Sequence, residues 1–540
     1  MRALLLLAAS LTGVLAQCRT TWNGTELQGT LEAGACRYSV RYGTAGRWAP
    51  PEAATSQDGL SAGSWPPICP QAADSDDVQI LSEKRQEDCL MLVVWAPPNA
   101  TSTSSLPVFF WAHGGAFVSG SASSAGMNGA AFAADGIVSV FVQYRLGALG
   151  FLPPPIAESS NDPNLAVMDV VLALRVVRDN IRAAGGDPGR VTVGGQSAGA
   201  TLIRSLFGTP SAQGLFHGVV LQSDPLNYGL QSRQNQLDMQ NYFYNSPNGS
   251  FPHCADMGCY AKVPLDTLIA WQAYVNNTAP FMIPGVAFGL VFRPQYGTQT
   301  IPHDPTNALW SGNASRLSLD PAIPVLATTV KNEAGYLVGV LIPVPIPASA
   351  QLANFTLRKV VGPERADVIL TSGLYPLQEG LDGLRGTIDH VITDGAWHCV
   401  TRAMFRRWAG AGGRVYLGTF TRGLIYLYNA FNDYCRMPGV VCHGDDIYPV
   451  FSSQPNPTAD NATYETTIRT YWSTFIKTGS PSADSHSWPQ WTPNSTDGEV
   501  TNLGKATDMP LCPADFWGSK VKFDFQMYSS NDTGILPARG

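Results

Sequence analysis

Basic residues are in short supply in this chain of 540: 34 Lys and Arg stand against 41 Asp and Glu, a net charge of −7. No basic stripe is available to neutralise a run of phosphates, which excludes nucleic acid as a partner. Long apolar runs are missing as well. Beyond the N-terminus the best candidate for a membrane span, Leu337 to Ile346, is short and broken by Pro343 and Pro345, whereas a span needs about 20 apolar residues. The C-terminal stretch Leu536 to Gly540 carries neither a retention signal nor the hydrophobic tail of a lipid anchor. None of the ten cysteines sits in the paired CxxC spacing of a zinc site, and the even number leaves none over. Internal repeats and heptads are absent too, so neither a solenoid nor a coiled coil is expected.

What is present fits a large folded core with many turns: 44% of residues are hydrophobic, with 53 Gly and 40 Pro. The first residues read as an export signal. Arg2 supplies the positive end, Ala3 to Ala9 the apolar run, and Val14-Leu15-Ala16 a small-residue cleavage site before Gln17. Nine N-x-S/T sequons lie at Asn23, Asn99, Asn248, Asn276, Asn313, Asn354, Asn461, Asn494 and Asn531. The expectation is therefore a signal peptide over 1–16 and a secreted, disulfide-bonded, glycosylated domain over 17–540, with no stable membrane anchor.

Between about 87 and 225 strands and helices alternate. Leu90–Ala96, Val108–Ala112, Ile137–Tyr144, Val191–Gly194 and Val219–Gln222 are short apolar, β-branched runs, the pattern of a sheet buried on both faces and mostly parallel. Asn164 to Arg182 reads as a helix, with Leu165, Met168, Leu172, Val176 and Ile181 at helical spacing and Gly185-Gly186-Asp187-Pro188 to stop it. Ile323–Ala327 and Arg414–Gly418 read as further strands of one sheet, and 225 to about 315 as helical and loop insertion around a site. The fold class is α/β, a central mostly parallel twisted sheet flanked by helices.

Gly195-Gln196-Ser197-Ala198-Gly199 follows one of those strands and precedes a helical run, Ala200 to Phe207. That context makes G-x-S-x-G a nucleophilic elbow: the serine occupies a strained turn, and small neighbours let strand and helix approach. A serine hydroxyl needs a base, an orienting acid and donors for the oxyanion. His113-Gly114-Gly115-Ala116-Phe117 follows the strand that ends near Trp111, and its glycines allow the N–H groups of Gly114 and Gly115 to converge with that of Ala198 on one oxygen. His113 itself reads as structural. Chain order Ser–acid–His leaves seven histidines as the base. Among them His443, beside Gly444, stands out, whereas His217 follows the serine too closely and His398 reads as packed. These residues alone do not choose between Asp394 and Glu333 for the acid.

Glu87-Asp88-Cys89-Leu90 before a strand ending in Trp95, then HGGAF, GQSAGA, Lys331-Asn332-Glu333-Ala334-Gly335 and His443-Gly444, resemble in order the type-B carboxylesterase and lipase family, which includes cholinesterases and secreted fungal lipases. The resemblance spans nearly all of the chain beyond residue 16. It implies an α/β-hydrolase fold, Glu333 as the acid, His443 as the base, and no metal or organic cofactor. It further implies a Cys69–Cys89 disulfide, with Cys254–Cys259 and Cys399–Cys512 as further pairs; proximity adds Cys18–Cys36 and Cys435–Cys442.

Two departures bear on substrate. Pro70 to Asp88, the stretch where cholinesterases place a tryptophan against a quaternary ammonium, contains no Trp, Tyr or Phe, which argues against choline esters. The same stretch is short and polar (Asp74, Asp76, Asp77, Glu83, Lys84, Arg85), unlike a long amphipathic lipase lid. Gln196 stands where many relatives carry glutamate, a change of local charge and not of mechanism. The reading is an acyl-enzyme hydrolase of small to medium carboxylic esters. A triacylglycerol lipase is the alternative, and a non-catalytic binding protein of the same fold the more distant one.

Overall fold

The computed structural model describes Cys18–Phe523, apart from 73–84, 246–250, 284, 287–288, 312, 483–486, 505–508, 510 and 513–514. The expected export signal, residues 73–84 of the polar stretch discussed above, and the sequons at Asn248 and Asn531 lie outside the described residues.

Ten strands form the central sheet: β1 (Thr30–Glu32), β2 (Ala35–Arg41), β3 (Met91–Ala96), β4 (Leu106–Ala112), β5 (Val138–Val142), β6 (Gly186–Gln196), β7 (Gly218–Gln222), β8 (Val325–Val330), β9 (Val415–Phe420) and β10 (Thr501–Asn502). Their order across the sheet is 10-9-8-7-6-4-5-3-2-1. Every pairing from β10 to β5 is parallel, and the pairings of β5 with β3, β3 with β2 and β2 with β1 are antiparallel. Strands β3, β5, β7, β8 and β9 are buried at every residue, as their mostly apolar content allows when helices cover both faces. This is the α/β-hydrolase arrangement that the sequence implied.

Two local readings shift. The strand read at Ile323–Ala327 lies at Val325–Val330. The helix read over 164–182 runs Leu165–Asn180 (α1), but Met168 and Leu172 of its expected stripe are only half-buried. Its deep face is Val167, Val170, Val171, Leu174 and Val177, all at most 4% exposed, together with Asp169. Asp169 is tolerated there because Arg145 binds it in a fork, Nη2 to Oδ1 at 2.7 Å and Nε to Oδ2 at 2.9 Å. A period-based reading cannot find an apolar face that contains a carboxylate.

All five disulfides form: Cys18–Cys36, Cys69–Cys89, Cys254–Cys259, Cys399–Cys512 and Cys435–Cys442. Among the described residues no helix is long and apolar enough to cross a membrane.

Candidate active site

Strand β6 ends at Gln196, and helix α2 (Ala198–Ser205) begins directly after Ser197. Ser197 has φ 57° and ψ −125°, a conformation that side chains avoid and that the surrounding packing must impose. The flanking glycines explain how the turn closes. A Cβ on Gly195 would meet the backbone of Gly199, and one on Gly199 would meet the carbonyls of Ala112 and His113. The strained serine is thus clamped between β4, β6 and α2.

The loop after β4 brings up the donors. The backbone of Gly114 lies against the elbow so closely that a Cβ there would come within 3.2 Å of Ser197 Cβ. Among the described residues the N–H groups of Gly114, Gly115 and Ala198 donate to no protein partner, Ala198 because it opens a helix. His113 is held away from chemistry: it is buried, stacked on Tyr144 with ring centroids 4.5 Å apart, and its Nδ1 contacts Gly114 O at 2.8 Å. Burial depresses its pKa to about 4, so it stays neutral.

Glu333 follows β8, and His443 lies on the long connection between β9 and β10. Asn332 joins the two loops. Its N–H donates to Val441 O at 2.9 Å, and Val441 N–H returns a bond to Asn332 Oδ1 at 3.0 Å. Glu333 is buried, with Oε1 accepting from Val330 N–H at 2.8 Å and Oε2 2.6 Å from His443 Nδ1. The histidine loop is fixed at its carbonyl, which accepts from Tyr428 OH and Asn429 Nδ2, both at 2.9 Å. The Cys435–Cys442 bridge pins the residue before it. Asp445 ties the loop together, accepting from Cys442 N–H at 2.8 Å and from Tyr426 N–H at 2.7 Å, and burial raises its pKa to about 7. Nε2 of His443 faces the carboxamide of Gln196, 3.1 Å from its Nε2.

The structure thus brings together every residue expected for the machinery and sets the others apart. Asp394 accepts from Tyr375 OH at 2.8 Å within a helical segment, and His398 is buried with Nε2 2.8 Å from Val330 O. Asn332, Tyr428, Asn429 and Asp445 went unread, because they act by holding loop backbone in place and carry no motif of their own. Only the Lys331–Gly335 segment carried a signal for Asn332.

Ser197, Gln196, Glu333 and His443 open on a cavity of about 330 Å³, whose walls include Tyr228, Tyr336, Trp397 and Leu290. Asn276, half-buried, also lines it. Asn23, Asn99, Asn313 and Asn494 are exposed, whereas Asn354 and Asn461 are half-buried with side chains bonded to Arg358 and Gln454.

An α/β-hydrolase with a serine elbow, a histidine–carboxylate pair and free backbone donors facing one cavity is the class that the fold and site define. The carboxylesterase family model matches residues 37–511, and the chain belongs to that family: it is a carboxylic ester hydrolase. It is similar to the para-nitrobenzyl esterase of Bacillus subtilis (strain 168), 29% identical over 495 residues, 88% of this chain and 92% of that protein. It is 36% identical over 262 residues to human cocaine esterase, covering 46% of this chain and 45% of that protein. A solved PNB esterase superposes with a TM-score of 0.72 at 26% identity, covering 90% of this chain and 96% of that one.

Proposed function

We propose that this esterase works by a Ser197–His443–Glu333 triad through an acyl-enzyme, on carboxylic esters of small to medium size. The observation that carries the reading is the 2.6 Å contact between Glu333 Oε2 and His443 Nδ1, opening on the same cavity as the strained Ser197. A carboxylate only accepts, so Nδ1 keeps its proton and Nε2 is the basic nitrogen. In the reaction His443 Nε2 takes the Ser197 proton as Oγ attacks the ester carbonyl. The N–H groups of Gly114, Gly115 and Ala198 receive the oxyanion, and the imidazolium then protonates the leaving alcohol. Water repeats the cycle on the acyl-enzyme and releases the acid. The cavity is at the small end of ligand pockets, which span about 300–1,000 Å³, and supports the size class.

Export and extracellular residence belong to the same proposal. The N-terminal apolar run and ten cysteines joined in five bridges support it, since disulfides persist in oxidising compartments.

The test is hydrolysis of p-nitrophenyl esters from acetyl to palmitoyl, with Ser197→Ala alongside. Turnover of the short esters and a loss of at least 10³-fold in the variant are expected. Residual activity of Ser197→Ala within tenfold of wild type would overturn the nucleophile, and preference for palmitate would overturn the size class.

A further inference from the structure

The His443 ring has one in-plane lone pair to offer, on Nε2, because Glu333 holds the proton on Nδ1. Only a donor can sit 3.1 Å from that atom, which orients the Gln196 carboxamide with its NH₂ toward the ring. Ser197 is adjacent in the chain, yet among the described residues its Oγ makes no hydrogen bond to His443 or to any other group. The proton acceptor that the nucleophile needs is already engaged by the residue before it.

Resting on the triad reading above, we propose that Gln196 is a positioning residue that occupies the Nε2 lone pair of His443 in the resting enzyme and must yield it to Ser197 for acylation. Several features make this contact persistent and reversible. Gln196 is 5% exposed, and its backbone is fixed in β6 opposite Gln222, which anchors the base of the side chain. The carboxamide nevertheless borders the cavity, where an entering ester can displace it. Turned over, it presents Oε1, which accepts from the imidazolium Nε2–H formed after Ser197 attacks. One side chain therefore serves both protonation states of His443. A glutamate there would only accept and would add a charge, and a methionine would do neither.

The other groups around the ring are Glu333 on the loop after β8, the buried Asp445 and Asp446 on the histidine's own loop, the Tyr428 hydroxyl on its carbonyl, and the uncharged Trp397 ring 5.8 Å away. Wild type and variants share all of these groups, so a difference between their pH profiles reports on residue 196.

The experiment compares wild type, Gln196→Met and Gln196→Glu by two readouts: the second-order rate of labelling by a fluorophosphonate at pH 8, and the pH dependence of kcat/KM on p-nitrophenyl acetate. Gln196→Met is expected to label about fivefold faster, the gain from removing one competing neutral hydrogen bond. In Gln196→Glu the acid limb is expected to move up by about one pH unit, because a carboxylate beside the imidazole favours its protonated form. Labelling of the methionine variant at or below the wild-type rate overturns the proposal. If that variant does not fold, an unmoved acid limb in Gln196→Glu overturns it instead. Labelling that persists in Ser197→Ala would strike the triad reading, so the two failures are distinguishable.

Discussion

Replacing Glu333 with glutamine tests the orienting acid at constant shape. In the wild type one carboxylate oxygen accepts from Val330 N–H at 2.8 Å and the other faces His443 Nδ1 at 2.6 Å. Glutamine has one acceptor and one donor to fill those two places. If Oε1 keeps the Val330 bond, the amide NH₂ points at Nδ1, which must then be the bare nitrogen. The proton moves to Nε2, and the base becomes a donor toward Ser197. If the amide turns over to restore the working tautomer, its NH₂ faces the Val330 N–H, and two buried donors are left unmatched at about 1–3 kcal/mol each. Either outcome raises the barrier. The expected loss in kcat is about 10³–10⁴-fold, or about 4–5.5 kcal/mol. Hydrolysis of p-nitrophenyl acetate measures it, with circular dichroism to confirm the fold. Retention of more than a tenth of wild-type kcat would refute the tautomer argument.

Two further substitutions probe the same frame. Gly114→Ala would place a Cβ 2.6 Å from Gln196 Oε1 and 2.9 Å from Gln196 O. The donor loop must then withdraw, lowering kcat about 10²–10³-fold while the melting temperature moves little; unchanged kcat would remove Gly114 N–H from the oxyanion site. Asp446 is fully buried, with Oδ2 accepting from Gln222 at 2.6 Å, and burial raises its pKa to about 6. The native state thus holds a proton that the unfolded chain releases near 4, so this group costs stability as pH rises from about 4 to 6. Asp446→Asn should gain about 1.4 kcal/mol of stability relative to wild type between pH 5 and pH 8, half of the full effect of a two-unit shift. Parallel melting curves across that range would show that the carboxyl titrates normally.

The proposed nucleophile was legible because its requirements are local. A strand, a turn of small residues and a helix lie within one stretch of chain, so Gly195 to Gly199 could be read without a fold. The two-face burial of the sheet was legible for the same reason: runs such as VVLQ and LMLVVWA declare it directly. The proposed orienting acid was not, because Glu333 and Asp394 carry the same chemistry and only the family resemblance separated them.

In the tertiary structure Glu333, and not Asp394, is the carboxylate that meets His443. The Asn332–Val441 exchange and the Cys435–Cys442 bridge carry His443 to Glu333, while Asp394 is turned to Tyr375. Helix α1 shows the converse limit: its periodicity marked a helix, but the buried Arg145–Asp169 pair placed a carboxylate on the deep face. Gln196 belongs to this second group. The sequence showed a neutral residue beside the nucleophile, and the fold alone set its amide on the nitrogen that catalysis needs. By itself the sequence determined the strand pattern, the elbow and the chemical types available. The meeting of particular side chains was decided by the tertiary structure, because hydrogen bonds depend on distances of tenths of an ångström between loops more than a hundred residues apart.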